Sequence, residues 1–307
     1  MAIIKKEAYF NSSTGVDKIR TLIWQDDEVA PVAVFQIAHG VAEHIGRYDH
    51  FARFLASNGF IVWGNDHIGH GLSVEDEDDL GFTAEKEGYR RFVDDMHILY
   101  SIMHKRYAEL PYILFGHSMG SMVVRCYLRE NDDKIDKLIV CGSPCNNPLA
   151  GTAVLLAKAI RLFRGERHRS KFLSYMSTGK GNAEFVKAGK GSWLTRDEEI
   201  ASAFRNDAKC RFHFTANGFE NLFNLMKFTY QKRGYQVKNP TLPIHFISGT
   251  EDAVLGSEKK WKSALAMLEK LGYKQVTGKL YEGMRHEVHN ELGREEVYKD
   301  ILAFIEE

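Results

Sequence analysis

The sequence holds one G-x-S-x-G stretch, Gly116-His117-Ser118-Met119-Gly120. It follows the apolar run Tyr112 to Phe115 and precedes Met119 to Leu128, where Met122, Val123, Cys126 and Tyr127 recur with helical spacing. Strand, sharp turn and helix form the setting of a nucleophile elbow, a strained turn that lifts a serine Oγ above the end of a strand. Glycine at 116 and 120 avoids collision where the helix and strand approach closely. A serine hydroxyl near its ordinary pKa is a poor nucleophile and needs an imidazole to remove its proton. The imidazole needs a carboxylate to fix its tautomer and stabilise the imidazolium. With an elbow, these partners follow in the order serine, acid, histidine, on loops at the carboxyl ends of strands. Ser118, Asp252 and His286 satisfy that order and placement. Glu251 is the neighbouring alternative acid, expected to point to the other side of its loop. His289 is the alternative base, farther from the end of the preceding strand.

Two loops bear on the same chemistry. The apolar run Val32 to Ala38 leads into His39-Gly40-Val41-Ala42-Glu43-His44. A glycine just past a buried strand lets a backbone amide face open space, as an oxyanion donor must. The second loop, Asn65 to Ser73, carries Asp66, His67 and His70, which are metal-ligand types. No neighbouring cluster completes a coordination shell. The expectation is a hydrogen-bonded loop supporting the site, with no metal.

The elements that must hold these loops are legible in order. Glu7 to Phe10 and Lys18 to Trp24 read as a hairpin at a sheet edge, around the turn Ser12 to Gly15. Further strands are predicted at Val32 to Ala38, Phe60 to Trp63, Tyr112 to Phe115, Lys137 to Val140, Leu242 to Ile247 and Gln275 to Leu280. Helices are predicted at Phe51 to Ser57, Tyr89 to Tyr107, Trp261 to Leu271 and Glu295 to Ile305. In the second of these, Phe92, Met96, Ile98, Leu99, Ile102 and Met103 should face the core. The acidic run Glu75 to Asp79 reads as a solvated loop face. Strands alternating with helices imply an α/β fold, a mostly parallel sheet with helices on both faces. From about Asn146 the alternation stops for some 90 residues, which read as an inserted helical cap. The expected division is a core of residues 1–145 and 241–307, with the cap at 146–240.

Within the cap, Thr152 to Phe163 is amphipathic. Val154, Leu155, Ala159, Ile160 and Phe163 lie on one side, Lys158 and Arg161 on the other. Such a helix can make transient contact with a membrane surface, or cover the core beneath it. Arg161, Arg164, Arg167, Arg169 and Lys171 form a basic cluster that could favour anionic lipids. Gly179-Lys180-Gly181 and Gly189-Lys190-Gly191 fit no phosphate-loop pattern, and Asp197 to Lys227 reads as helical.

Composition narrows the classes further. Lys+Arg and Asp+Glu both number 41 in 307 residues, which argues against nucleic acid as a partner. Cys126, Cys141, Cys145 and Cys210 show no C-x-x-C spacing and read as reduced thiols. Met1 to Lys6 lacks the apolar core of a signal peptide. No apolar run approaches the roughly 18 residues of a membrane span. The expected location is the cytoplasm.

His39-Gly40-Val41-Ala42-Glu43-His44 with Arg47-Tyr48, Asp66 to Ser73, Gly116 to Gly120 and Gly283-Met284-Arg285-His286-Glu287 together resemble the monoglyceride lipase and lysophospholipase-like branch of the α/β-hydrolase family. The resemblance spans nearly the whole chain, including Ser192 to Asp197 in the cap. It implies the α/β-hydrolase fold and serine-ester hydrolysis through an acyl-serine intermediate, without cofactor. It also implies that the N–H groups of Val41 and Met119 form the oxyanion hole. The implied substrate is a small ester or lipid of the monoacylglycerol or lysophospholipid type. A short-chain or aryl-ester (feruloyl-type) esterase is the alternative. An aminopeptidase of the same fold would need a carboxylate pair such as Glu198 and Glu199 to hold the substrate's ammonium. A non-catalytic binding protein would retain the pocket alone. Ala42 departs from the resemblance, because many relatives carry glycine there.

Overall fold

The computed structural model describes residues 2–179, 192–210 and 212–307. Eight strands form one sheet: β1 (Ile3–Asn11), β2 (Lys18–Asp26), β3 (Ala33–Ala38), β4 (Phe60–Asn65), β5 (Tyr112–His117), β6 (Lys137–Cys141), β7 (Pro243–Gly249) and β8 (Gln275–Tyr281). Their spatial order is β1-β2-β4-β3-β5-β6-β7-β8. β1, β2 and β4 pair antiparallel, and every later pairing is parallel. The expected hairpin is therefore present, with β1 at one edge.

Alternation along β3 shows why its sequence is almost wholly apolar; Gln36, its one polar residue, donates to the Met96 carbonyl and accepts from the Tyr112 hydroxyl. Ala33, Phe35 and Ile37 enter one core and Val34 and Ala38 the other. A strand covered on both faces has no solvent side to mark with polar residues. The first core is closed by α1 (Asp49–Ser57) and, at the chain's end, by a helix at Arg294–Glu306. The second is closed by α2 (Gly88–Arg106), α3 (Met119–Asn131) and a helix at Glu258–Leu271. In α2 the predicted face is shifted. Phe92, Met96, Leu99 and Met103 are buried, whereas Ile102 is exposed and Ile98 half-buried.

Chain order reverses between β4, β3 and β5. Such a reversal opens a crevice at the carboxyl ends of the diverging strands. Ala38, the last residue of β3, lies in register with Gly116 of β5. The His39-Gly40 loop and Ser118 consequently leave the sheet side by side. Ser118 adopts φ +52, a strained value for any side chain. The close approach behind it is between backbones. A Cβ on Gly116 would strike the Gly120 carbonyl, and one on Gly120 would strike that of Ala38.

Between the adjacent strands β6 and β7 lie α4 (Ala150–Arg164), α5 (Lys171–Ser174), α6 (Glu198–Asn206) and α7 (Ala216–Tyr230). The helix expected over Asp197 to Lys227 is thus two helices. Asp197 caps α6 and Thr215 caps α7, each accepting backbone N–H bonds of a first turn. The predicted apolar face of α4 also differs. Ala150, Ala153, Val154 and Ala157 are its buried residues, and their small size lets α4 lie close to α7. Leu155, Leu162 and Phe163 are instead turned outward, the last 82% exposed. The Gly179-Lys180-Gly181 and Gly189-Lys190-Gly191 stretches fall wholly or in part outside the described residues. α8 (Glu258–Leu271) and α9 (Arg294–Glu306) complete the fold.

Arg125 and Arg129 tie the inserted helices to α3. Arg125, fully buried, lies over the Tyr230 ring and donates to the hydroxyls of Tyr230 and Ser143. Arg129 donates to the carbonyls of Phe228, Gln231 and Arg233 at the end of α7. Those are carbonyls that a helix C-terminus leaves unpaired, and a cation there also complements the dipole.

The two kinds of glycine separate experimentally. Gly120→Ala should lower stability by roughly 2–3 kcal/mol, because neither backbone can yield. Gly151→Ala, in α4 with nothing within 4 Å, should raise it by roughly 0.5–1 kcal/mol. Urea unfolding midpoints measure both.

Candidate active site

Asp252 follows β7, and His286 follows β8. His286 Nδ1 lies 2.9 Å from Asp252 Oδ1, with both side chains buried. Asp252 also accepts from the Ser248 hydroxyl at 2.8 Å and from the Val254 amide at 2.8 Å. Burial alone would push the Asp252 carboxyl up, but the His286 ring beside it and these hydrogen bonds hold it below its ordinary value. Burial would likewise lower His286, yet the Asp252 charge and hydrogen bond raise it above its ordinary value. His286 Nε2 has no hydrogen-bond partner among the described residues. It shares with Ser118 and Gly40 the wall of a cavity of about 20 Å³, enough for a single water.

The alternatives are otherwise engaged. Glu251 is half-exposed and faces Arg285, 3.7 Å away. His289 is buried behind the site, stacked on Tyr48 with ring centroids 4.9 Å apart. Burial drives it down to about 3, so it is neutral.

Val41 and Met119 line, with Ser118, a hollow of about 350 Å³. Met119 is the first residue of α3, so its N–H has no partner within the helix. Met122, Met176, Leu222 and Met226 give the hollow a flexible apolar wall. Ala42 takes φ +52, a conformation that glycine adopts without penalty.

Glu43, Arg47 and Glu287 are the main residues to which the sequence assigned no role. Arg47 Nη1 and Nη2 each lie 2.7 Å from a Glu287 oxygen, and Nη1 also meets Glu43. Glu43 accepts in addition from the Gly40 amide and the Tyr48 hydroxyl. The Glu43–Arg47 spacing of four, set inside a loop, is the signal that was available. Desolvation would raise both carboxyls and lower the guanidinium. The opposite charges prevail, holding both glutamates below and Arg47 above their ordinary values.

Trp193 was visible only as part of a resembling cap segment. Its indole stacks on the His286 ring, with centroids 5.0 Å apart. Its neighbours pin it there. The Glu287 amide donates to the Leu194 carbonyl at 2.7 Å, Arg285 to that of Ser192 at 2.7 Å, and Thr195 Oγ1 to that of Asn290 at 3.1 Å.

Asp66 proves to be a loop support. Its carboxylate accepts from the amides of Ile45 and Leu72 and from Arg20. His67 and His70 pack against His39 and Phe92, and burial lowers all three histidines. Elsewhere, His117, Cys141 and His289 bring ligand-type atoms within 4.8 Å of one another, as do His44, Asp207 and Cys210. Burial pushes both thiols up.

A family model described as serine aminopeptidase, S33, matches residues 29–293. The chain belongs to this family, in the monoglyceride lipase-like branch of the α/β-hydrolases. It is 27% identical to the monoacylglycerol lipase of Mycolicibacterium smegmatis, over 96% of each chain. It is 25% identical to the phospholipase YtpA of Bacillus subtilis, covering 92% of this chain and 98% of the relative. Among solved structures, a thermostable carboxyl esterase from Bacillus coagulans in complex with glycerol superposes with a TM-score of 0.87 at 29% identity, covering 99% of both. The fold is accordingly the α/β-hydrolase fold.

Arg47→Met leaves two carboxylates buried without a counter-charge and should cost about 3–5 kcal/mol. The pH dependence gives a sign to check. With Arg47 present, Glu43 and Glu287 titrate lower folded than unfolded, so stability is lost as pH falls below their ordinary 4.5. Without it their folded pKa values rise, and stability should fall as pH rises through that range. Urea titrations between pH 3.5 and 6 distinguish the two slopes.

Proposed function

We propose that this chain, a carboxylic-ester hydrolase, cleaves lipid monoesters of the monoacylglycerol or lysophospholipid type through an acyl-serine intermediate. The observation carrying this reading is that Ser118, Met119 and Val41 border one apolar hollow, while the hydrogen-bonded Asp252–His286 pair meets Ser118 across a water-sized cavity. His286 takes the Ser118 proton as Oγ attacks the ester carbonyl. The Val41 and Met119 amides hold the oxyanion, and the positive end of α3 adds to their field. His286 then protonates the departing alcohol. A water entering the small cavity repeats the sequence and releases the acid. Trp193 covers the imidazole and keeps bulk water from it.

We assign residues 1–145 and 241–307 to the catalytic core and 146–240 to a cap that shapes the acyl pocket. Leu155, Leu162 and Phe163, turned outward on α4, would rest transiently on a lipid surface. No helix among the described residues is long and apolar enough to cross a membrane.

Peptide hydrolysis at a free N-terminus is less well supported, despite the description of the family model. Glu198 is exposed and pairs with Arg205 on its own helix, and Glu199 is exposed as well. Neither lines the Ser118 hollow.

Hydrolysis of p-nitrophenyl esters from acetate to palmitate, alongside 1-monoacylglycerols, tests the substrate. A maximum at medium or long chains with glycerol release is expected; a maximum at acetate with little glycerol release would favour a short-chain or aryl esterase. Ser118→Ala should abolish turnover, and near-full activity in that variant would overturn the mechanism. His286 must be neutral to act as base, and its pKa is raised above 6.5. The acidic limb of kcat/KM should therefore be centred above pH 6.5. Asp252→Asn should lower kcat by about 10⁴ and shift any remaining limb downward, since the charge that raises His286 is gone.

A further inference from the structure

A second hollow adjoins the one containing Ser118. It measures about 250 Å³ and is lined by Asn146, Tyr230, Lys232, Lys260, Ser263 and Lys270, among others. Asn146 and Lys260 line both hollows. Three lysines thus border one hollow whose lining includes no carboxylate, in a chain whose cationic and anionic residues are equal in number. None of the three has an ion-pair partner among the described residues. Two other lysines of this half of the chain do have partners. Lys262, on the same helix, pairs with Glu258 at 2.6 Å, and Lys279 pairs with Glu296 and Asp300.

Lys260 is also placed against its local electrostatics. It stands in the first turn of α8, where the helix dipole disfavours a cation. Its side chain lies against Gly256, within 4 Å of where a Cβ would stand, and Gly256 holds φ +70 and itself borders the Ser118 hollow. An amine there is unpaired and opposed by the dipole. The basic cluster Arg161 to Lys171 offers no comparable site. Arg161 pairs with Glu166 and Glu220, Arg167 with Asp79, and Arg169 donates to the carbonyls of Asp78, Leu80 and His213.

We propose that the Lys232–Lys260–Lys270 hollow binds a phosphate carried on the alcohol half of the ester, making phosphate-bearing acyl esters the substrate class favoured over neutral monoacylglycerols. This rests on the assignment of Ser118 as the nucleophile. The ester carbonyl sits at Ser118, the acyl chain lies among Met119, Met122 and Leu222, and the alcohol leads past Asn146 to the three amines. Lysine suits this role as a mobile point charge that accepts a phosphate in several orientations.

The test compares 1-hexanoylglycerol with 1-hexanoylglycerol 3-phosphate, both below their micellar concentrations so that no charged surface contributes. The phosphate ester should show roughly tenfold higher kcat/KM at low salt, an advantage that shrinks as ionic strength rises. Combined Lys232→Ala, Lys260→Ala and Lys270→Ala should remove about that factor, chiefly through KM, whereas Lys262→Ala should leave the ratio unchanged. All four side chains are exposed, so folding is not at stake. A wild-type ratio near one, or a ratio indifferent to the triple substitution, overturns the subsite while ester hydrolysis stands. Inorganic phosphate distinguishes the two sources of the anion. If it inhibits both esters equally and the wild type shows no preference between them, the hollow takes free phosphate, and the substrate claim fails. Absence of turnover on both esters, with Ser118 unlabelled by a fluorophosphonate, removes the hydrolase assignment itself and the subsite with it.

Discussion

Arg47, held in the interior between Glu43 and Glu287, is the interaction on which the geometry of the site depends. Glu43 belongs to the loop after β3, which carries the proposed oxyanion donor Val41. Glu287 adjoins His286 on the loop after β8. The two loops emerge from strands separated by three others in the sheet, so no backbone pairing relates them. Burying three charges carries a desolvation cost of several kcal/mol per ion, offset only when geometry is good and every lone pair is used. Here the remaining acceptor positions are taken by the Gly40 amide, the Tyr48 hydroxyl and Asn290. Such an arrangement tolerates little displacement, and that intolerance sets the spacing between the loop after β3 and His286.

The inserted helices are coupled to the same point. Trp193 stacks on His286, and the residues flanking it bond to the backbone and side chains of residues 285–291. Phe204 of α6 lies over the Arg47 guanidinium, 4.9 Å from ring centroid to carbon. The insertion therefore supplies part of the packing around the imidazole as well as one wall of the hollow. A shift of the Ser192–Asp197 segment would strip His286 of its cover and change the access of water to Nε2.

Among the described residues, three other than glycine take positive φ: Ala42, Ser118 and Glu87, the last at the start of α2. At Ser118 the cost is tied to lifting Oγ clear of the sheet. At Ala42 a side chain occupies a conformation in which glycine carries no penalty, and its methyl packs against the second core.

Much of this was legible in the residues themselves. The strands were marked by their apolar runs, because strands buried on both faces must be continuous in hydrophobicity. Gly116 and Gly120 announced a backbone approach that admits no Cβ. The order of Ser118, Asp252 and His286 along the chain placed them after the ends of β5, β7 and β8. What one-dimensional order does not contain is direction across space. Periodicity grouped Leu155 and Phe163 on one apolar face of α4, able to cover the core or meet a lipid surface, but contact with α7 selects Ala150, Ala153 and Ala157, because close helix packing favours the small face over the greasy one. The sequence assigned Arg47 and Glu287 no role, yet both lie in the interior, since they meet across 240 positions of sequence. Sequence determined the elements and the chemistry available at their ends; only the folded chain decided which charges meet, because burial of an ion depends on the simultaneous presence of its counter-ion.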